Sequence, residues 1–181
     1  MRTLIIAALL VAPAIAHADP IAVTTTAAPA PDAPHTYIAP GVALGSAGQH
    51  TMAAATFEIG ERITDHLIVH VEGLTGASAE LFGGSGNTRF ATGGIDATSC
   101  AKLEKICAYA GVAAGYGSTT YTESDWFDGS NAMTTSSQGA IGIVRAGLDI
   151  GNKHLRWRPG FEASVIGPSQ GAMTSSFALT F

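Results

Sequence analysis

The chain has few charged residues and, beyond its first segment, no long apolar run. Aspartate, glutamate, lysine and arginine make up only 13% of its 181 residues. The nine lysines and arginines form no cluster. This argues against nucleic acid as a partner, because phosphate contacts supply most of that affinity. After residue 18 no apolar segment approaches the roughly 20 residues of a transmembrane helix. A chain that is apolar on average but never for long is typical of alternating β-strands.

The first 18 residues have the organisation of a secretory signal peptide. Arg2 precedes the apolar run 4–15, and residues 16–18 read Ala-His-Ala, an A-x-A cleavage pattern. The apolar run is shorter than the roughly 20 residues that cross a bilayer as a helix, so we expect cleavage and export rather than anchoring. Residues 19–35 hold four of the eight prolines among alanine and threonine, which predicts a flexible leader. The remaining residues, 36–181, form the predicted barrel domain.

From residue 36 onward, apolar and polar residues alternate in segments separated by Gly, Ser, Asn, Asp and Thr clusters, the usual turn punctuation. The segments suit transmembrane β-strands, which need about 9 to 11 residues. We therefore predict an all-β fold, an antiparallel up-and-down transmembrane barrel of about eight strands. The strands are expected at 37–45, 51–63, 67–76, 89–98, 107–117, 139–150, 155–166 and 171–181.

The connections between these predicted strands differ in length. Those at 64–66, 99–106 and 151–154 are fairly short, whereas those at 77–88 and 118–138 are long and rich in Gly, Ser and Thr. Outer-membrane barrels have short periplasmic turns, longer external loops and an even strand count. The pattern therefore predicts that both termini face the periplasm.

Most charged residues fall on one face of the predicted strands. Glu61 falls on the apolar face, and we expect it near the periplasmic rim, where the penalty for a charge is smaller. A soluble barrel or sandwich with its apolar face inward has the same period, so alternation alone leaves that alternative open. The signal segment, aromatic residues near strand ends such as Trp157 and Tyr116, and the final residues favour an apolar face turned outward to lipid. The segment 155–165 shows the pattern, with Leu155, Trp157 and Phe161 on one face and Arg156, Arg158 and Glu162 on the other.

The last predicted strand carries a recognisable ending. Residues 171–181 read Gly-Ala-Met-Thr-Ser-Ser-Phe-Ala-Leu-Thr-Phe, with apolar residues at the last, third-last and fifth-last positions. This resembles the C-terminal recognition signal of bacterial outer-membrane barrels, and residues 60–67 resemble their tight periplasmic turn. Over residues 37–181 the chain resembles the small OmpA-like and OmpX-like barrels. The resemblance implies an outer-membrane location, outer-membrane lipids as neighbours and the barrel assembly machinery as a transient partner.

An eight-stranded barrel is just wide enough for side chains to fill its lumen. Charges inside it must be paired, because an unpaired buried ion costs several kcal/mol. We therefore predict a salt-bridge network that plugs the lumen. A narrow ion path or proton relay through His70, Glu72 and Arg145 is the alternative. The polar faces place these charged or titratable residues inside: Glu58, Glu72, Asp96, Asp149, Glu162, Arg62, Arg145, Arg156, Arg158 and His70.

The two cysteines, Cys100 and Cys107, flank a predicted periplasmic turn. In an exported chain this favours a disulfide that closes the hairpin. A metal site would need two more ligands and only Glu104 is nearby, so we expect no metal. We expect no cofactor either.

Two prolines, Pro40 and Pro159, lie inside predicted strands. A closed barrel has no edge that would tolerate a missing backbone donor. We therefore expect a bulge or kink at Pro159 and Gly160.

The predicted external loop 118–138 concentrates acidic and aromatic residues between positions 121 and 128. Tyr121, Trp126, Phe127 and Asp128 are its candidates for contact with an external partner, whose identity the sequence does not give. The alternative is a loop that folds over the barrel mouth or packs at the membrane interface.

No catalytic constellation stands out in the chain. Residues 167–171 match G-x-S-x-G, but that motif requires an Asp or Glu and then a His later in the chain, and none follows Ser169.

We expect a non-enzymatic outer-membrane barrel of structural or surface-interaction type. The alternatives are a lipid-modifying membrane enzyme, a narrow channel, and a soluble barrel that binds an apolar ligand. For the enzyme, His50 is the candidate at a predicted external loop, but the serines around it, such as Ser46, are not diagnostic.

Overall fold

The chain forms eight β-strands in the part that the structure describes. The structure is a computed structural model and describes residues 36–48, 50–79, 84–101, 105–123 and 133–181. The expected signal segment and leader, 1–18 and 19–35, lie outside these residues. The strands are β1 (Thr36–Ala47), β2 (His50–Thr64), β3 (Leu67–Ala79), β4 (Gly84–Cys100), β5 (Ile106–Glu123), β6 (Met133–Gly151), β7 (Leu155–Ile166) and β8 (Gln170–Thr180).

The sheet closes on itself. Each strand pairs antiparallel with its neighbours in the chain, and β1 completes the ring by pairing with β8. The predicted closed eight-stranded antiparallel barrel is therefore confirmed. The start of β1, the end of β8 and the β2–β3, β4–β5 and β6–β7 turns lie at one rim, which we call the terminal end. The other four connections lie at the opposite rim, the loop end. No helix in the described segments is long and apolar enough to cross a membrane.

The strands reach further toward the loop end than predicted. β4 begins at residue 84 rather than 89, β5 continues to 123 rather than 117, and β6 begins at 133 rather than 139. β5 and β6 pair without interruption up to Glu123 and Met133. Most of the predicted loops 77–88 and 118–138 is therefore strand. Their threonines and serines look like loop residues by polarity, but threonine is β-branched and favours a paired strand.

The prolines inside strands interrupt backbone pairing without changing its register. β1 and β8 are unpaired around Pro40, and β6 and β7 around Pro159, yet the same register continues on both sides of each gap. A proline has no N–H to donate, so a local gap is the smallest disturbance it causes. A bulge or kink is expected at Pro159 and Gly160, and the unchanged register shows that the bulge is wrong. The register shift of that ladder lies between Gly142 and Ile143, toward the loop end.

Apolar side chains face outward and charged side chains face inward. On β7, Trp157 and Phe161 are 43% and 47% exposed, whereas Arg158 and Glu162 are 3% and 7% exposed. A soluble barrel would turn its apolar face inward. The observed arrangement is that of a barrel surrounded by lipid. Other outward apolar residues include Val42, Leu44, Phe57, Ile59, Val71, Ile95, Val112, Val144, Leu148, Phe177 and Leu179.

The interior is layered along the barrel. Toward the loop end it is filled by buried apolar side chains, and a smaller apolar cluster that includes Tyr37 and Ile68 lies toward the terminal end. The charged residues lie between these two clusters. Alternation predicts which residues point inward but says little about how polarity changes with height, so the apolar layer was not anticipated. Its larger members are Met52, Leu74, Phe90, Ile141 and Ile143.

Two luminal tyrosines lie against glycines that leave room for their rings. A Cβ at Gly60 would come within 2.3 Å of the Tyr37 ring. A Cβ at Gly160 would come within 2.3 Å of the Tyr109 hydroxyl, and one at Gly147 within 2.6 Å of it. These glycines therefore position both tyrosines beside the charged layer.

We expect Gly60→Ala to lower the free energy of unfolding by about 1 to 3 kcal/mol, as overpacking of a filled interior does. The Tyr37 ring has little freedom to move away, because its hydroxyl is hydrogen-bonded to Glu58 and Arg158. Urea unfolding in phospholipid vesicles, followed by tryptophan fluorescence, measures the change. Gly73→Ala is the matched control, since the nearest atom to its new Cβ is 4.0 Å away. Equal losses in the two variants would contradict this explanation.

Candidate functional site

Arg145 lies at the centre of the charged layer. Its guanidinium donates hydrogen bonds to Glu58 at 2.8 Å and to Glu72 at 3.1 Å. It also lies 3.3 Å from Asp96 and 3.8 Å from Glu162. One buried guanidinium on β6 therefore contacts carboxylates from β2, β3, β4 and β7.

Arg158 forms a second positive centre in the same layer. Its Nη1 donates to Glu58 at 2.6 Å and to the Tyr37 hydroxyl at 2.8 Å. The Tyr37 hydroxyl in turn donates to the same Glu58 carboxylate. The guanidinium also lies over the rings of Tyr37 and Tyr109, 4.9 and 4.8 Å from their centroids. Such cation–π contacts are worth most when desolvated, as they are here.

His70 and Asp96 complete the layer on the β3 and β4 side. His70 Nε2 is 3.1 Å from Arg145 Nη1, and His70 Nδ1 is 3.5 Å from Asp96 Oδ2. Asp96 is completely buried, and its carboxylate oxygens make no hydrogen bond within the described residues, only longer ion pairs. A Cβ at Gly111 would lie 2.1 Å from Asp96 Oδ1, so a glycine is needed at this place on β5.

The layer ties the strands together across the lumen. It joins four acids to two arginines, a formal charge of 2 − 4 = −2 with His70 neutral. Arginine suits this role because its planar guanidinium presents five donors, enough to serve several carboxylates at once. Seven of the eight strands contribute a side chain: Tyr37 (β1), Glu58 (β2), Glu72 (β3), Asp96 (β4), Tyr109 (β5), Arg145 (β6) and Arg158 (β7).

Three residues predicted for the network lie elsewhere. Asp149 and Arg156 form a separate pair, 2.5 Å apart, beside the disulfide near the terminal end. Arg62 is partly exposed near the end of β2 and is in no ion pair within the described chain. The expectation that Arg62 joins the network is corrected. Arg62 faces inward as predicted. However, it is paired with Ile68, closer to the terminal end than the level at which Glu58 and Glu72 pair.

Sequence reasoning missed the two tyrosines that flank the arginines. The alternation of the strand could have shown this, because Tyr109 lies on the same face of β5 as Cys107 and Gly111. The inward phase also carries Gly60, Gly147 and Gly160, small residues that leave space for large neighbours across the lumen. Alternation combined with these small residues could have placed the rings inside.

The charged layer does not fit a metal ion. Glu58, His70 and Asp96 each offer a ligand atom, and these atoms lie within 4.8 Å of one another. However, the Arg145 guanidinium is 2.8, 3.1 and 3.3 Å from the same three groups. A cation there would have to displace a buried arginine.

Cys100 and Cys107 form the predicted disulfide. They are directly paired across β4 and β5, so the bond closes that hairpin at the terminal end. Arg156 Nη2 lies 3.3 Å from Cys107 Sγ. The disulfide therefore adjoins the pair that Arg156 makes with Asp149.

At the loop end, the structure places His50 and Ser46 on different faces and buries one of the candidate binding residues. His50 stacks on Tyr121, with ring centroids 3.4 Å apart and an interplanar angle of 11°. Tyr121 is 6% exposed, which corrects the expectation that it contacts an external partner. Ser46 is exposed on the outer face of β1, whereas His50 has the inward phase of β2, so the two do not converge. The other binding candidates, Trp126, Phe127 and Asp128, lie outside the described residues.

A closed eight-stranded antiparallel barrel with an apolar exterior and a filled, charged interior is the architecture of the small outer-membrane β-barrels. The chain has this fold. No protein-family model matches it, and no curated protein does either. The match is instead to solved structures.

Three solved barrels are similar to the chain, each over 81% of its length. Neisserial surface protein A is 11% identical with a TM-score of 0.60, and 96% of that chain is covered. Ail, the attachment invasion locus protein of Yersinia pestis, is 12% identical with a TM-score of 0.56 and 97% coverage. The N-terminal barrel domain of Pseudomonas aeruginosa OprF is 14% identical with a TM-score of 0.53 and 96% coverage. At these identities the likeness concerns the fold alone.

We expect Arg145→Met to lower the free energy of unfolding by about 3 to 5 kcal/mol, because removal of one partner leaves buried carboxylates without their counter-ion. Urea unfolding in phospholipid vesicles at neutral pH measures the loss. Arg89→Met is the control, since Arg89 is exposed on β4 and bonded only to Asn87 within the described residues. A barrel that tolerates Arg145→Met as well as it tolerates the control would refute the central role of this guanidinium.

Proposed function

We propose that the mature chain is an integral outer-membrane protein of structural or surface-interaction type, with a closed lumen and no enzymatic activity. The observation that carries the proposal is the inverted distribution of polarity. Outward side chains such as Val71 and Val165 are 63% and 62% exposed, whereas Glu72 and Asp96 are 4% and 0% exposed. A barrel in water would be more stable with its apolar side chains inside, whereas a barrel in hydrocarbon is more stable with them outside, as they are here.

Export and orientation follow from the same proposal. Residues 1–18 act as a cleaved signal peptide and 19–35 as a leader in the periplasm. The even strand count brings the start of β1 and the end of β8 to one rim, which we assign to the periplasm. The barrel assembly machinery is the transient partner, and outer-membrane lipids are the permanent ones. The disulfide between Cys100 and Cys107 suits this oxidising side.

The closed lumen argues against the channel alternative. An ion that crossed the charged layer would next meet the apolar layer, which includes Leu74, Phe90 and Ile141. The ion pairs of Arg145 and Arg158 are therefore best explained as stabilising contacts across the lumen.

Surface interaction is favoured by the side of the barrel where β5 and β6 extend beyond β7 at the loop end. β6 pairs with β7 only as far as Gly142, so residues 133–141 rise beyond β7 and pair with β5 alone. Within the described chain, no other strand covers the second edge of this segment. An uncovered edge that lacks charge, proline and bulges is open to contact by another chain. The predicted candidates Trp126, Phe127 and Asp128 follow β5 in the sequence and lie outside the described residues.

The charge of the loop end limits the kind of partner. Ail has been solved in complex with the heparin analogue sucrose octasulfate. In this chain Arg89 is the single Lys or Arg on the loop-end segments, against Glu80, Glu123, Asp125 and Asp128. A polyanion would be repelled there, so we propose a neutral or basic partner.

The decisive test of the membrane assignment is fractionation followed by gel migration. We expect the expressed chain in the outer-membrane fraction, and a different migration for boiled and unboiled samples, because the closed sheet persists in detergent until heated. The boiled sample of the same preparation is the control. A monomer that is stable in buffer without detergent would overturn the proposal.

We expect no sizeable single-channel conductance when the purified barrel is inserted into planar bilayers, because the apolar layer and the ion-pair layer both obstruct the lumen. Phe90→Ala combined with Ile141→Ala opens the apolar layer alone. This variant is expected to conduct little as well, since the Arg145 layer remains. Steady channels in the unaltered protein would favour the ion-path alternative.

A further inference from the structure

Basic residues are distributed unequally between the two ends of the barrel. Two of the three lysines of the chain, Lys105 and Lys153, belong to turns at the terminal end, and Lys102 lies outside the described residues. Arg62 lies near the same rim. The loop end has only Arg89. A difference of this kind is unnecessary for closing the lumen, because none of these residues takes part in the charged layer.

Two of the lysines lie on neighbouring turns that are joined by a backbone hydrogen bond. The N–H of Gly151 donates to the carbonyl of Lys105 at 2.9 Å. The side chain of Asn152 accepts from the backbone N–H groups of His154 and Leu155, at 2.8 and 2.9 Å. These bonds hold the β6–β7 turn in one shape next to the β4–β5 turn.

The basic side chains on these turns are exposed. Lys105, Lys153 and His154 are all exposed, and no carboxylate of the described residues lies within ion-pair distance of either lysine. The nearest acid along the β6–β7 hairpin, Asp149, is already paired with Arg156 inside the barrel. The two lysines therefore present positive charge that the described chain does not neutralise.

The height of these turns matches the headgroup region of a bilayer. Lys105 directly precedes Ile106, and His154 directly precedes Leu155, two outward residues that are 49% and 48% exposed. Trp157, one outward position further along β7, is 43% exposed and donates its indole N–H to Ser175. Outward aromatic residues near strand ends mark the membrane interface. The lysines therefore lie just beyond the apolar exterior, at the boundary toward the terminal end.

We propose that Lys105 and Lys153, with His154 beside them, bind the phosphate groups of anionic phospholipids in the leaflet that faces the terminal end. The inference rests on the proposed function, because it requires the barrel to span a membrane. Lysine side chains lay their aliphatic stems along apolar surface and extend the charge to the phosphates. Anionic lipid is preferred over zwitterionic lipid, because no carboxylate of the described residues lies within ion-pair distance of these lysines to receive a choline or ethanolamine group.

The test is the lipid selectivity of the purified mature barrel in phosphatidylcholine vesicles, measured by electron spin resonance with spin-labelled phosphatidylglycerol or spin-labelled phosphatidylcholine. Lipid in contact with the barrel gives a motionally restricted signal, and the ratio of the two association constants is the selectivity. Each lysine near a charged surface is worth at most about a fivefold preference. We expect the unaltered barrel to prefer phosphatidylglycerol at least twofold, and to lose that preference at high salt.

Lys105→Gln combined with Lys153→Gln is expected to bring the ratio close to one. Lys105→Arg combined with Lys153→Arg is expected to retain the preference, and so is Arg89→Gln at the opposite end. Heat-modified gel migration establishes that each variant is folded. A preference that survives the double glutamine variant, or that is absent from the unaltered barrel, overturns the lipid site. The absence of any restricted lipid signal, for either label, overturns the membrane assignment itself.

Discussion

The structure depends on one geometric constraint, the alternation of side chains across a sheet that closes on itself. Once the outer face is apolar, every second residue must enter a lumen that only eight strands enclose. Charges on that face cannot escape to water. They must therefore meet partners across the lumen, and the arginines at 145 and 158 provide them. Closure, polarity and ion pairing are consequences of the same alternation.

The charged layer is made possible by small residues around it. A guanidinium that reaches four carboxylates needs them to converge within a narrow space, and the rings of Tyr37 and Tyr109 must fit beside it. Gly60, Gly111 and Gly160 provide that space, because a Cβ at any of them would overlap a luminal side chain. The abundance of glycine, 22 residues in the chain, is thus partly a requirement of packing rather than of turns.

Much of this barrel could be predicted from alternation, and the failures have physical causes. The strand count, the inward phase of Glu58, Arg145 and Glu162, and the disulfide are local properties that period and spacing express. The position of a residue along the barrel axis is not a local property of the sequence, since it depends on how the strands are staggered around the ring. Arg62 therefore has the right phase but the wrong height. The strand extensions were missed because threonine and serine are polar like loop residues, although a paired strand accommodates them well.

The two ends of the barrel have different physical characters. At the terminal end the turns are short, a disulfide closes one hairpin, and Asp149 pairs with Arg156 just inside. At the loop end, polar strands rise beyond the apolar exterior, and the stacked rings of His50 and Tyr121 lie above an apolar interior. The ion pairs and the disulfide thus lie in the middle of the barrel and at one rim. The opposite rim carries neither the disulfide nor these ion pairs, which suits the surface interaction proposed for it.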